Sequence, residues 1–220
     1  MLTPRDKSII FHIEKYGFLT ISQAYNIWFN DRKYGYDLAR KHLNKCIEAK
    51  YIKGYKPVTN IYAEKTFYIE EKYSHPTRSM VITMNAYAEL IRLGADIIHF
   101  KREEPWLEED GKYKYRSDAF TVVSIGNNVF SACIEIIDSE KLSYAAQRKH
   151  FIAKYTDIYA DDEPLKKLME ITHLTRKFSA PKLVIISEIS KANLEIDGVE
   201  IISLDYSLQK LSQIFTTKIE

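Results

Sequence analysis

The chain has 220 residues, 45% of them hydrophobic and 28% charged, enough apolar material to fill a core and to exclude a wholly disordered protein. Its apolar runs, such as 183–186 and 134–137, are far shorter than the roughly 20 residues a membrane helix needs, so no transmembrane segment is expected. The net charge of +2 hides an asymmetry, because residues 1–80 hold 14 Lys and Arg against 8 Asp and Glu while residues 81–220 hold 18 against 22. A basic module joined to a mildly acidic one suggests a polyanion as partner of the first.

The start, Met1-Leu2-Thr3-Pro4-Arg5-Asp6-Lys7, leads into an amphipathic pattern rather than a solid apolar block, so no signal peptide is expected and the cytoplasm is the expected compartment. Cys46 and Cys133 lie inside apolar-periodic segments and read as small buried hydrophobes, not as a disulfide or a zinc site.

In chain order, Pro4 suits the first turn of a helix whose apolar face is Ile9, Ile10, Ile13 and Tyr16, and Gly17 stops it. Thr20 and Gln23 form a capping-box pattern for a second helix with Ile21, Ala24, Tyr25 and Trp28. After the polar break at 30–35, a third helix is predicted near 37–50. Ala39, Leu43, Cys46 and Ile47 form its buried face and Arg40, Lys41, Asn44 and Lys45 the opposite one. Two β-rich pieces, 51–55 and 65–69, flank a turn-prone segment with Pro57, Thr59 and Asn60.

Three short helices and a hairpin are the order of a winged helix-turn-helix, expected over residues 1–73. Such a third helix enters the major groove and turns polar side chains to base edges, while the hairpin meets the flanking backbone. The expected DNA-binding residues are Tyr36, Arg40, Lys41, Asn44 and Lys45, with Lys53, Lys56 and Lys65 on phosphates. The competing reading is the solvated face of an amphipathic helix. The charge excess, the element order and the hydroxyls of Tyr34 and Tyr36 weigh for DNA. His12 and His42 have no partner at metal-ligand spacing and read as packing or surface residues.

Residues 71–78 read as a linker, and residues 80–220 as a small α/β (α+β) domain with a mixed sheet. Asn85 is the predicted cap of a helix through Tyr87, Leu90, Ile91 and Leu93, closed by Gly94. The charged stretch 101–113 reads as a hairpin or loop. Strands are predicted at 118–123 and 129–137 around the turn Gly126-Asn127-Asn128, then helices at 141–159 and 164–172 and buried parallel strands at 183–186 and 201–204. Acids stand where apolar residues are expected: Asp118 opens one strand, Glu135 lies inside its neighbour, and Asp138 and Glu140 follow. A carboxylate there is costly unless paired, hydrogen-bonded or holding a cation, and two facing carboxylates are the minimal magnesium set. The plainer readings are Asp118 at a strand end in water and Glu135 in a salt bridge to Arg148 or Lys149.

Arg116-Ser117-Asp118-Ala119-Phe120 resembles the Arg-Pro-Asp-Ala segment of the replication-relaxation family of plasmids and other mobile elements. The run from Ala132 to Asp138 is similar to that family's Glu-containing strand, and Lys154 and Tyr159 resemble its lysine and tyrosine pair. The resemblance implies a winged helix followed by a PD-(D/E)XK nuclease-like domain, acting in plasmid replication or conjugative DNA processing. It also makes Asp118 and Glu135 the candidate catalytic residues and metal ligands, with a lysine two positions past the glutamate to position the attacking water. Ile137 stands at that position and Ser117 replaces the proline; Lys141, Lys149 or Lys154 could supply the missing ammonium.

The expectation is therefore a double-stranded DNA-binding accessory or regulatory protein, retaining the nuclease-like fold without cleavage. No cofactor is expected unless that site functions with magnesium. A homodimer, with relaxase or replication proteins as partners, is expected. The alternatives are a metal-dependent endonuclease using Asp118 and Glu135, and a protein-interaction adaptor.

Overall fold

The structure is a computed structural model that describes residues 1–55, 64–69, 76–110, 112–137, 144–173, 180–188 and 196–216. The described residues form six α-helices and two sheets, an α+β chain that divides into two compact units, Met1–Arg78 and Ser79–Glu220. Among the described residues no helix is long and apolar enough to cross a membrane.

The first unit opens with α1 (Pro4–Tyr16), capped by the Thr3 hydroxyl and by Asp6, whose carboxylate accepts the Thr3 N–H at 2.6 Å. Gly17, at φ 88°, ends α1 in the left-handed region that a side chain would resist. Strand β1 (Leu19–Thr20) leads into α2 (Ile21–Trp28), where Thr20 and Gln23 cap each other reciprocally. Helix α3 (Gly35–Glu48) follows a short turn. Gly35 is required there, because a Cβ would overlap the Phe29 carbonyl oxygen and the Tyr25 ring. β2 (Lys53–Tyr55) and β3 (Thr66–Tyr68) complete a three-stranded antiparallel sheet in the order β1-β3-β2. Ile9, Ile13, Leu19, Ala24, Phe29, Leu43, Cys46 and Phe67 form its core. The turn with Pro57, Thr59 and Asn60, like Lys56, lies outside the described residues.

The second unit begins with α4 (Arg78–Arg92), so Asn85 is a mid-helix residue and not the expected cap. The β-branched run Val81-Ile82-Thr83 disguises the first turns, but Val81, Ile82 and Met84 are buried, and packing overrides their weak helix propensity. The stretch 101–113 belongs to a long hairpin of β4 (Asp96–Glu109) and β5 (Lys112–Ile125). Of the two readings of this stretch, hairpin or loop, the structure has the hairpin, held by cross-strand pairing. β6 (Asn128–Ile137) returns antiparallel to β5, then pairs in parallel with β7 (Lys182–Ser187), as β7 does with β8 (Ile201–Leu204). The sheet order is β4-β5-β6-β7-β8. Helices α5 (Tyr144–Ala160) and α6 (Glu163–Thr172) place Tyr155, Ile158 and Leu168 in a core with Trp106, Phe120, Cys133, Leu183 and Ile185. Both cysteines are buried thiols, and burial pushes Cys133 up to about 12.

Pairing between β5 and β6 ends at Ala119 opposite Ile134. Beyond it β5 stays with β4 while β6 runs on beside β7, and Asp118 and Glu135 stand at this parting of the strands.

Candidate functional site

On α3 the helical repeat turns Ala39, Leu43 and Cys46 into the core and leaves Asp37, Arg40, Lys41 and Asn44 exposed. Arg40 Nη2 donates to Asp37 Oδ1 at 2.8 Å, with both side chains about 60% exposed. At about 100° per residue, Tyr36 and Lys45 fall about 90° to either side of this stripe; Tyr36 is 45% exposed, and Lys45 is drawn back into the unit. The Tyr36 hydroxyl donates to Glu64 Oε1 at 3.3 Å, an oxygen that also accepts the Ser22 N–H at 2.6 Å. Burial and the charge of Glu64 push the Tyr36 phenol up.

Lys45 corrects the expectation that it shares the exposed face. It is half-buried, with Nζ 2.7 Å from Oδ2 of the fully buried Asp6, whose Oδ1 meets His42 Nδ1 at 2.5 Å. Burial pushes the Asp6 carboxyl up, but Lys45, His42 and Thr3 together hold it well below the usual carboxylate range. His12 is buried beside Tyr16 and Trp28, at 4.7 and 5.4 Å between ring centres, and burial lowers it to about 3.

Lys53 is exposed on β2. Lys65 is half-buried and lies across Gly54, where a Cβ would collide with its side chain, and its ammonium sits 5.4 Å from the Phe67 ring centre. Tyr34 and Tyr51, just before and after α3, are 65% and 54% exposed.

In the second unit both carboxylates are engaged. Asp118 Oδ1 accepts the Ser79 hydroxyl at 2.6 Å, and Oδ2 accepts the Ile136 N–H at 2.8 Å, so the side chain takes the place of a strand partner on β6. This replaces the expectation of a strand-end acid in water. Glu135 is 4% exposed, and its Oε1 accepts Lys154 Nζ and the Tyr155 hydroxyl, each at 2.5 Å. Lys154 also donates to the Arg116 carbonyl. Burial raises the Glu135 carboxyl to about 7 against the pull of Lys154, and the charge of Asp118 adds to the rise.

The partner of Glu135 is thus Lys154. The side chains of Arg148 and Lys149 lie outside the described residues, as do Asp138, Glu140 and Lys141. Tyr159 does not meet the carboxylate: its hydroxyl donates to the Pro181 carbonyl at 2.6 Å, and Tyr155, four residues earlier, takes that place. Ile137 packs into the core.

Two carboxylates and water can satisfy magnesium, but here the ammonium of Lys154 already holds the cation position against Glu135, and both oxygens of Asp118 accept protein donors. The residues as folded suit an internal cation and do not fit an added dication. Among the described residues no group of three or more His, Cys, Asp and Glu could hold a metal ion.

A second buried cluster escaped the sequence reading. Glu104, 1% exposed on β4, accepts Lys167 of α6, with Lys101 Nζ at 3.6 Å and His99 Nε2 at 3.9 Å. Lys167 lies 4.6 Å from the centre of the Trp106 ring, and the Trp106 indole N–H donates to Ser117 Oγ at 2.9 Å. The charge run around Glu104 masked it. The buried role of Asp6 did have a visible signal, the capping pattern Thr3-Pro4-Arg5-Asp6. Comparison of the chain with family models, with curated proteins and with solved structures finds no match.

Proposed function

We propose that the chain is a double-stranded DNA-binding accessory protein of a plasmid or mobile element, with a winged helix in residues 1–73 and a non-cleaving, nuclease-like second unit. Its role lies in replication, conjugative DNA processing or local regulation, as the resemblance to the replication-relaxation family implies. The observation that carries this reading is the exposed polar stripe Asp37, Arg40, Lys41 and Asn44 on a 14-residue helix, beside a small antiparallel sheet bearing Lys53. A helix of this width enters the major groove, where Arg and Asn side chains match base edges and lysines meet phosphates. A homodimer would set two such helices on a two-fold site, and a relaxase or replication protein is the partner the resemblance implies.

Binding-site selection from random duplexes, with and without magnesium, tests this. Arg40→Ala or Asn44→Ala should cost about 1–3 kcal/mol at the selected site, whereas Lys53→Ala should weaken binding to all duplexes and flatten its salt dependence. No retention on heparin and no duplex binding at low salt would leave the adaptor reading in its place.

The endonuclease reading draws support from Lys154, which brings an ammonium to Glu135 where Ile137 cannot. It requires magnesium to displace that ammonium from a buried carboxylate. Incubation with supercoiled DNA in magnesium or manganese should give no nicking; nicking by the wild type that disappears in Glu135→Gln would reverse the assignment.

A further inference from the structure

We infer that α3 reads two particular bases: Arg40, oriented by Asp37, takes a guanine, and Asn44 takes an adenine about two base-pair steps away. This rests on the reading of the first unit as a duplex-DNA binder and adds to it the identity of the target and a positioning role for Asp37.

The two edges of the helix already have partners within the chain. Lys45 is bonded to the buried Asp6, which fixes that edge of the helix in its unit, and on the other edge the exposed Tyr36 directs its hydroxyl to Glu64, so the central stripe is left to face a partner. Within the stripe, each side-chain type has one best counterpart in the major groove. Arginine offers two parallel donors to guanine O6 and N7, asparagine a donor and an acceptor to adenine N7 and N6, and lysine a point charge suited to phosphate.

Asp37 is the discriminating residue. A surface built only to attract phosphates gains nothing from an exposed carboxylate at its centre, which repels them. Here that carboxylate holds Arg40 Nη2 at 2.8 Å, and the guanidinium has five N–H donors, so the rest of the fork remains for a base. Orienting it beforehand removes part of the ordering cost of recognition. The same charge disfavours sites where no guanine accepts Arg40, which raises discrimination by repulsion as well as attraction. Arg40 and Asn44 are one helical turn apart, about 6 Å along the axis, against about 3.4 Å per base-pair step.

The test uses the full chain and random duplexes, for the wild type, Arg40→Ala, Asp37→Ala and Asp37→Glu. The wild type should enrich a core with a guanine and an adenine about two steps apart and prefer it to the guanine-replaced site by about tenfold or more. Arg40→Ala should remove that preference. Asp37→Ala should narrow it to a few-fold while affinity for unrelated duplex rises, and Asp37→Glu should restore most of it, an outcome that a mere loss of helix stability would not produce. A selected core without guanine, a guanine preference that survives Arg40→Ala, or full discrimination in Asp37→Ala would overturn the inference and leave DNA binding intact. Failure of the wild type to bind any duplex at low salt would overturn both.

Discussion

Arg40 of the first unit and Lys154 of the second each face a carboxylate at hydrogen-bond distance, and the likeness ends there. The Arg40–Asp37 pair lies in water, with both side chains about 60% exposed, whereas Lys154 and Glu135 are each about 5% exposed. An exposed pair contributes little to stability, so its side chains can be turned to a partner at small cost to the fold. A buried pair breaks expensively, because the remaining charge has neither water nor counter-ion. The same kind of pair, a cation with a carboxylate, thus serves a surface in one unit and the integrity of a sheet in the other, and that contrast can be broken at several points.

The largest effect is expected from Lys154→Met, which leaves the Glu135 carboxyl buried without its cation. Chemical denaturation of the second unit should show a loss of about 3–5 kcal/mol at pH 8. The loss should shrink at pH 5, where the carboxyl takes up a proton. Adding Glu135→Gln in the same chain should recover much of it. A loss under 1 kcal/mol at pH 8 would show that Lys154 does not hold the carboxylate.

Next is Gly35→Ala at the turn into α3, where the added Cβ meets the Phe29 carbonyl and the Tyr25 ring. Overpacking of this kind costs about 1–3 kcal/mol, read as a lower Tm of the first unit. The second unit should melt unchanged.

The two units should also answer pH in opposite senses. His12 is lowered from 6.5 to about 3 by burial, so the unfolded chain binds the proton first and the first unit loses stability as pH falls below about 6.5. At pH 5 the loss is about 2 kcal/mol. Asp6, whose pKa is depressed, adds to the loss once pH falls below the ordinary aspartate range. Glu135 is raised from 4.5 to about 7, so its folded form binds the proton first, and its contribution to the second unit is fully present below about 4.5 and lost as pH rises through 7.

The chain has two tryptophans, Trp28 in the first unit and Trp106 in the second, so Trp106→Phe and Trp28→Phe each leave one reporter. Between pH 7 and 5 the Trp28 transition should move to lower temperature and the Trp106 transition should not. A common shift of both would remove the contrast.

The smallest effect sharpens the comparison from the exposed side. Lys41→Ala should leave stability within about 0.5 kcal/mol yet reduce the salt slope of duplex binding by about 1, as loss of one phosphate contact does.

Local chemistry was legible from residues close together in the chain. The capping pair Thr20 and Gln23, the stop at Gly17, the turn at Gly126 and the 3.6-residue repeat of α3 each depend on neighbours a few positions away, and each is present in the structure. The parallel strands β7 and β8 were legible too as short apolar runs, β7 buried along its whole length and β8 only at alternate residues, whereas the parallel pairing of β6 with β7 was not. What the tertiary structure alone decided are the partners of the charges. Asp6 with Lys45, Glu135 with Lys154, Glu104 with Lys167 and Asp118 with the Ile136 amide are separated by 39, 19, 63 and 18 positions. A carboxylate in an apolar strand announces that it needs a donor, since burial without one is costly. Nothing in its neighbours says which donor the packed helices will bring.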